Sequence, residues 1–153
     1  MNYTFDITLK TRNLFLQLLE TLTLEELNKQ PKGFNNTIFW NIKHVVITQQ
    51  LLTYSLSGLP VLISETEIES FRKGTKSEGN ATREDLELLK SQLFSTLEKT
   101  KEDYQKGLFK SYTEYTVSTK STLTNINEAL EFNNFHEGIH LGYILALKKV
   151  IKI

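Results

Sequence analysis

The chain has 153 residues, enough for one domain with a substantial hydrophobic core. Hydrophobic residues make up 39% and charged residues 24%, which excludes a disordered tail and an integral membrane protein. Lys plus Arg total 18 and Asp plus Glu total 18, so the net charge is zero, and no basic run is available to displace counterions from nucleic acid.

There is no cysteine. Disulfide scaffolds, Cys-based zinc sites, iron–sulfur clusters and a cysteine nucleophile are excluded together. Met1 to Lys10 lacks the basic stretch and apolar run of a signal peptide. No stretch approaches the roughly 18 apolar residues of a membrane span. The expectation is a soluble cytoplasmic protein with a small-molecule substrate and neither nucleic acid nor membrane as partner.

From Asp6 to Thr21, and on to Leu22, the residues Ile7, Leu14, Phe15, Leu18, Leu19 and Leu22 recur at helical intervals and predict a first amphipathic helix. The polar run from Asn28 to Asn36, with Pro31 and Gly33, ends it. A second helix is predicted to start near Asn35 or Asn36, either able to cap a first turn, and to bury Ile38, Ile42, Val45, Leu52 and Leu56. Ser57-Gly58-Leu59-Pro60 closes it, with Gly58 suited to a left-handed position.

Ser64 and Glu67 form the pattern of a capping box, which predicts a short helix through Phe71. Thr82-Arg83-Glu84-Asp85 marks another helix start with an acidic first turn, and Leu86, Leu89, Leu93, Leu97, Thr100 and Tyr104 continue that helix until Gly107. The stretch from Leu108 to Thr122 has no helical period, and its Tyr115 and Val117 suit a short extended piece. A last helix begins after Thr124 and runs almost to the end, with Ala129, Asn133, His136, His140, Tyr143 or Ile144, and Leu147 inward.

Four long helices without a repeated strand pattern predict an all-α four-helix bundle as a single domain over residues 1–153. The second connection is long enough to retrace the bundle, so helices two and three are expected to run parallel, giving an up-down-down-up order.

The three histidines carry the chemistry. His136 and His140 lie four apart, so on a helix both face one ion. His44 sits about 12 Å from the start of the second long helix, and the pair sits roughly 18 Å from the end of the last, taking the rise per residue of an α-helix. If those helices are antiparallel neighbours, all three imidazoles reach one level. Three neutral imidazoles leave a further coordination position open, as catalytic zinc sites do, and imidazole also suits nickel, iron and copper. The alternative is that each histidine is a satisfied polar group and the pair a coincidence.

His136-Glu137-Gly138-Ile139-His140 also matches H-E-x-x-H, in which both histidines bind zinc and the glutamate is general base. A protease is disfavoured. The thirteen residues after His140 contain no His, Asp or Glu for a third ligand, no edge strand is visible to bind a peptide, and Gly138 weakens the helix. Glu137 remains a candidate catalytic or ligand-supporting residue, or else a solvated flank. Trp40, Thr48, Asn133 and Tyr143 are candidates for a substrate pocket, with a core role as the alternative for each. Tyr112 and Tyr115 suit either a cover over that pocket or ordinary loop packing.

Asn36-Thr37-Ile38-Phe39-Trp40-Asn41-Ile42-Lys43-His44, then Ser57-Gly58-Leu59-Pro60, Phe71-Arg72-Lys73-Gly74-Thr75, and finally Phe135 to Ile144 with its H-x-x-x-H pair, together resemble the DinB/YfiT-like superfamily. The resemblance spans essentially the whole chain. It implies an up-down-down-up bundle, usually dimeric, with a divalent ion, typically nickel or zinc, on His44, His136 and His140. It further implies thiol S-transferase chemistry with a low-molecular-weight thiol, such as bacillithiol or mycothiol, as co-substrate. With no thiol of its own, the chain would need one to be supplied. Two other readings stay open: a metallohydrolase that uses a metal-bound hydroxide, and a non-catalytic metal-binding bundle.

Overall fold

Side-chain caps set the helix starts. Thr23 with Glu26, Ser64 with Glu67 and Thr82 with Asp85 each form a reciprocal capping box, satisfying two backbone N–H groups per start. In the computed structural model, which describes residues 1–151, the elements are α1 (Asn2–Thr21), α2 (Leu24–Asn28), α3 (Ile38–Thr53), a 3-10 turn (Ser55–Ser57), α4 (Glu65–Phe71), α5 (Arg83–Gln105), β1 (Tyr115–Thr116), β2 (Thr122–Leu123) and α6 (Ile126–Ile151). The expected domain end at residue 153 thus lies just outside the described residues. The protein is mostly helical, with one short antiparallel strand pair.

Four expectations need correction. The first helix starts at Asn2, ahead of Asp6, because Phe5 is buried against Leu97, Leu130 and the edge of Tyr104. Its inward face is Phe5, Thr8, Arg12, Phe15, Leu18 and Leu19, so Leu14 is left 45% exposed. The second long helix is capped by Thr37, whose hydroxyl accepts from Trp40 N–H, and the Asn36 side chain instead accepts from Ser77 N–H. The linker preceding it holds a further short helix, α2, started by its own capping box.

Two glycines close elements as the sequence suggests: Gly58 (φ 69°) ends the 3-10 turn and Gly107 (φ 67°) follows α5.

Helix α3 is the central element. Fourteen of its sixteen residues are buried, so it has no face on which polar side chains can meet water. Those it carries are satisfied internally. Gln49 donates to Thr53 and Thr100, Gln50 accepts from Leu62 N–H, and the buried Lys43 ammonium meets Glu67 and the Gln92 carbonyl oxygen. Helices α5 and α6 each pack against both α1 and α3. The main core gathers Phe15, Leu19, Ile38, Ile42, Val45, Leu89, Leu93, Ile144 and Leu147 between them.

The segment after α5 folds back over the C-terminal end of α3. Thr113 N–H donates to Leu56 O, and the Tyr112 hydroxyl donates to Leu52 O. The expected extended piece is strand β1, paired with β2 through Tyr115 opposite Leu123 and Thr116 opposite Thr122. Val117 and Leu123 are buried there against Leu52 and Ala129. This strap closes one side of a cavity.

Candidate metal centre

Helix α3 supplies His44 and helix α6 supplies His136 and His140, and the packing of α3 on α6 brings the rings together. Ring centroids lie 5.2 Å apart for His44 and His136, 4.9 Å for His44 and His140, and 4.5 Å for His136 and His140. One nitrogen from each ring lies within 4.8 Å of the others, so a small inward movement of the side chains brings all three to one ion, whose ligands stand at most about 4 Å apart at bonds of about 2.0–2.1 Å.

The hydrogen bonds decide which nitrogens carry protons. His44 Nδ1 lies 2.7 Å from Phe71 O. A carbonyl only accepts, so Nδ1 carries the proton and the Nε2 lone pair is available. The Thr48 hydroxyl, 3.2 Å from that Nε2, can donate to it, and a rotation of this hydroxyl frees the lone pair for an ion. For His140 the partner of Nδ1 is the Asn41 side-chain oxygen at 2.9 Å. That amide is oriented by its own Nδ2, which donates to Thr37 O at 2.7 Å, so His140 Nδ1 must also be the donor. Two of the three imidazoles are thereby held as the tautomer whose Nε2 can ligate, in the manner of metal-binding histidines. The third, His136, has a buried Nδ1 with no partner among the described residues.

Charge points the same way. Burial, reinforced by the charges its two neighbours would carry, pushes His136 down to about 3. Burial and the neighbouring His44 take His140 down to about 4. His44 is also lowered by burial, against the opposing pull of Phe71 O. All three are therefore neutral at physiological pH, and no charge on the rings opposes a cation among them. An orphaned buried ring nitrogen and an all-imidazole donor set fit a divalent ion of borderline softness.

The surroundings hold this arrangement and give access to it. Trp40 stacks on His44 with centroids 4.6 Å apart and planes 10° apart, and its indole N–H donates to Thr75. Beside His44 and His136 opens a cavity of about 230 Å³ with apolar walls from Leu51, Leu52, Leu56, Val117 and Phe132. Thr48 lies between the histidines and those walls, and Tyr115 lines the cavity from the strap while remaining 41% exposed.

The other candidates lie elsewhere. Glu137 is completely buried and turned toward α1, where it accepts from Arg12 at 3.0 Å and from Asn133 at 2.9 Å. Arg12 also donates to Leu93 O and to the Thr96 hydroxyl, tying α1, α5 and α6 together. Asn133 is thus part of that ion-pair network and does not line the cavity. Tyr143 packs edge-on against Phe34, also away from the cavity.

Sequence reasoning passed over Arg12, Lys73 and the Phe71 carbonyl, and placed Asn41 beside His44 without its role toward His140. A signal existed for Arg12, which shares the helical spacing of Phe5, Thr8, Phe15 and Leu19 and so must face inward. It also existed for Asn41, one turn before Val45 on a helix with no exposed face. A backbone carbonyl leaves no such trace.

A family model for the DinB superfamily matches residues 7–144. No curated protein matches the chain. That match takes in all three histidines, the whole of α3 and α5 and most of α1 and α6, and the chain belongs to the DinB superfamily.

Proposed function

We propose that His44, His136 and His140 hold one divalent ion, nickel or zinc by preference, in a metal-dependent enzyme that transfers a low-molecular-weight thiol. The observation that carries this is the position of three neutral, convergent imidazoles at the side of an apolar cavity. Such an ion, when bound, supplies a Lewis acid that lowers the pKa of a thiol.

The chain's own residues do the rest. Phe71 O and Asn41 fix the ring orientations, Trp40 packs the His44 imidazole flat, and Thr48 offers a hydroxyl at the boundary between histidines and cavity. The leucine, valine and phenylalanine walls keep water away from the reacting sulfur. Among the described residues no carboxylate lines the cavity, and Glu137 is committed to Arg12. Neither reaction therefore has a carboxylate base, and the proton of an ionising thiol would pass to solvent; the apolar walls suit a thiol and its electrophile better than a hydrolytic water. We assign Glu137 and Asn133 to holding α6 in position. The reading includes an up-down-down-up course of α1, α3, α5 and α6, and a cytoplasmic homodimer. It is supported by the absence of any helix long and apolar enough to cross a membrane among the described residues, and by exposed Phe135 and Ile139 on the outer side of α6.

The test is elemental analysis of untagged protein, followed by a panel of thiols with a chromogenic electrophile. About one divalent ion per chain and a thiol-dependent rate lost in His136→Ala are expected. No rate above the metal-free control removes the transferase.

A further inference from the structure

The charge balance of the cavity narrows what it accepts. Three neutral imidazoles leave the double charge of an ion uncompensated, so this step rests on the metal reading above. Among the described residues, the only charged side chain in the walls is another cation, Lys73, on the turn after α4. Lys73 is exposed and has no ion-pair or hydrogen-bond partner among the described residues, whereas its neighbour Arg72 is paired with Glu69. Among the described residues no acidic group lines the space between Lys73 and the histidines. The walls are mostly apolar, with the hydroxyls of Thr48, Ser55 and Ser118 among them, and the volume of about 230 Å³ falls below that of drug-sized pockets.

We propose that this cavity selects a small amphipathic anion. One end reaches the histidines, an unbranched or aryl apolar body lies against Leu52, Leu56 and Phe132, and a terminal carboxylate meets the Lys73 ammonium at the mouth. A neutral ligand of the same length leaves Lys73 without a partner. A ligand that is polar along its body leaves its own groups unsatisfied against the leucines.

Trp40 is the only tryptophan and stacks on His44, so its fluorescence reports occupation of the inner end. Protein as purified is titrated with mercaptohexanoate and with mercaptohexanol, which differ only in the terminal group. Mercaptohexanoate is expected to bind about fivefold tighter, the scale of a part-exposed charge pair. The preference shrinks at high salt. Lys73→Met abolishes it and Lys73→Arg retains it, with circular dichroism checking the fold of both variants. Equal affinities in the wild type, a preference that survives Lys73→Met, or no Trp40 response to either thiol would each overturn the proposal. Metal content measured on the same preparation separates a failed metal centre from a failed anion site.

Discussion

The Arg12–Glu137 pair gives a sharp test of how the helices are held. Both side chains are 0% exposed, and the Arg12 Nη2 to Glu137 Oε1 distance is 3.0 Å. At an effective dielectric of about 20, charges at that separation attract by about 5 kcal/mol. Most of this offsets the cost of removing both from water, so the pair's net contribution is small. Breaking it from one side is a different matter. Glu137→Gln keeps the shape and an accepting oxygen but leaves the guanidinium as an uncompensated charge in the core. The expected loss is about 3–5 kcal/mol, a large part of a typical domain's stability. Replacing both partners, as in Arg12→Met with Glu137→Met, is expected to recover most of that loss, because no buried charge remains. Equilibrium urea unfolding followed by circular dichroism measures all three proteins. A loss below about 1 kcal/mol in Glu137→Gln would refute the reasoning. The double variant also separates roles for Glu137: metal content and thiol-dependent rate persist if it only positions α6, and the rate disappears if its carboxylate takes part in the chemistry.

Asn41→Leu removes the acceptor that fixes the His140 tautomer, and metal affinity is expected to fall about 10–100-fold in competition with a chelating dye, with little change in fold. The Glu67 carboxyl is pushed up by partial burial, but hydrogen bonds from Lys43, Ser64 and Gln92 outweigh this and hold it at about 2, against an ordinary 4.5. Its folded pKa is depressed, so its contribution is complete above about pH 4.5 and is lost as pH falls toward 2, to a total of about 1–2 kcal/mol once solvent screening of this half-buried group is allowed for. Glu67→Gln should flatten that part of the acid limb in a stability-against-pH series, and an unchanged limb would place the acid sensitivity elsewhere. His136→Ala should keep its helical circular dichroism while losing the bound ion.

Much of the fold lies in local signals that a sequence displays. Ser64 with Glu67 and Thr82 with Asp85 are caps set by spacing alone, and the start of α4 and α5 follows from them. The cap of α3 was harder, because Asn35, Asn36 and Thr37 are consecutive and all able to cap; the choice of Thr37 depends on Asn36 being drawn to Ser77, 41 residues away. In the site, the i, i+4 spacing of His136 and His140 shows that both share a helix face, and His44 reaches them only through the packing of α3 on α6. What the sequence concealed are partnerships made at long range. Glu137 has a neighbour's position beside two histidines, yet its ion partner is 125 residues away on α1. Asn133 and Tyr143 lie on the histidine helix, but one turns to Glu137 and the other to Phe34. Lys73 enters the cavity wall from a turn whose course no periodicity encodes.

The most direct measurement is X-ray absorption at the metal edge of the zinc- or nickel-loaded protein. The account predicts three imidazole nitrogens, at about 2.0–2.1 Å in the zinc form, with scattering from the imidazole rings that drops by one third in His44→Ala. A shell made of oxygen alone, or one unchanged by His44→Ala, would contradict it.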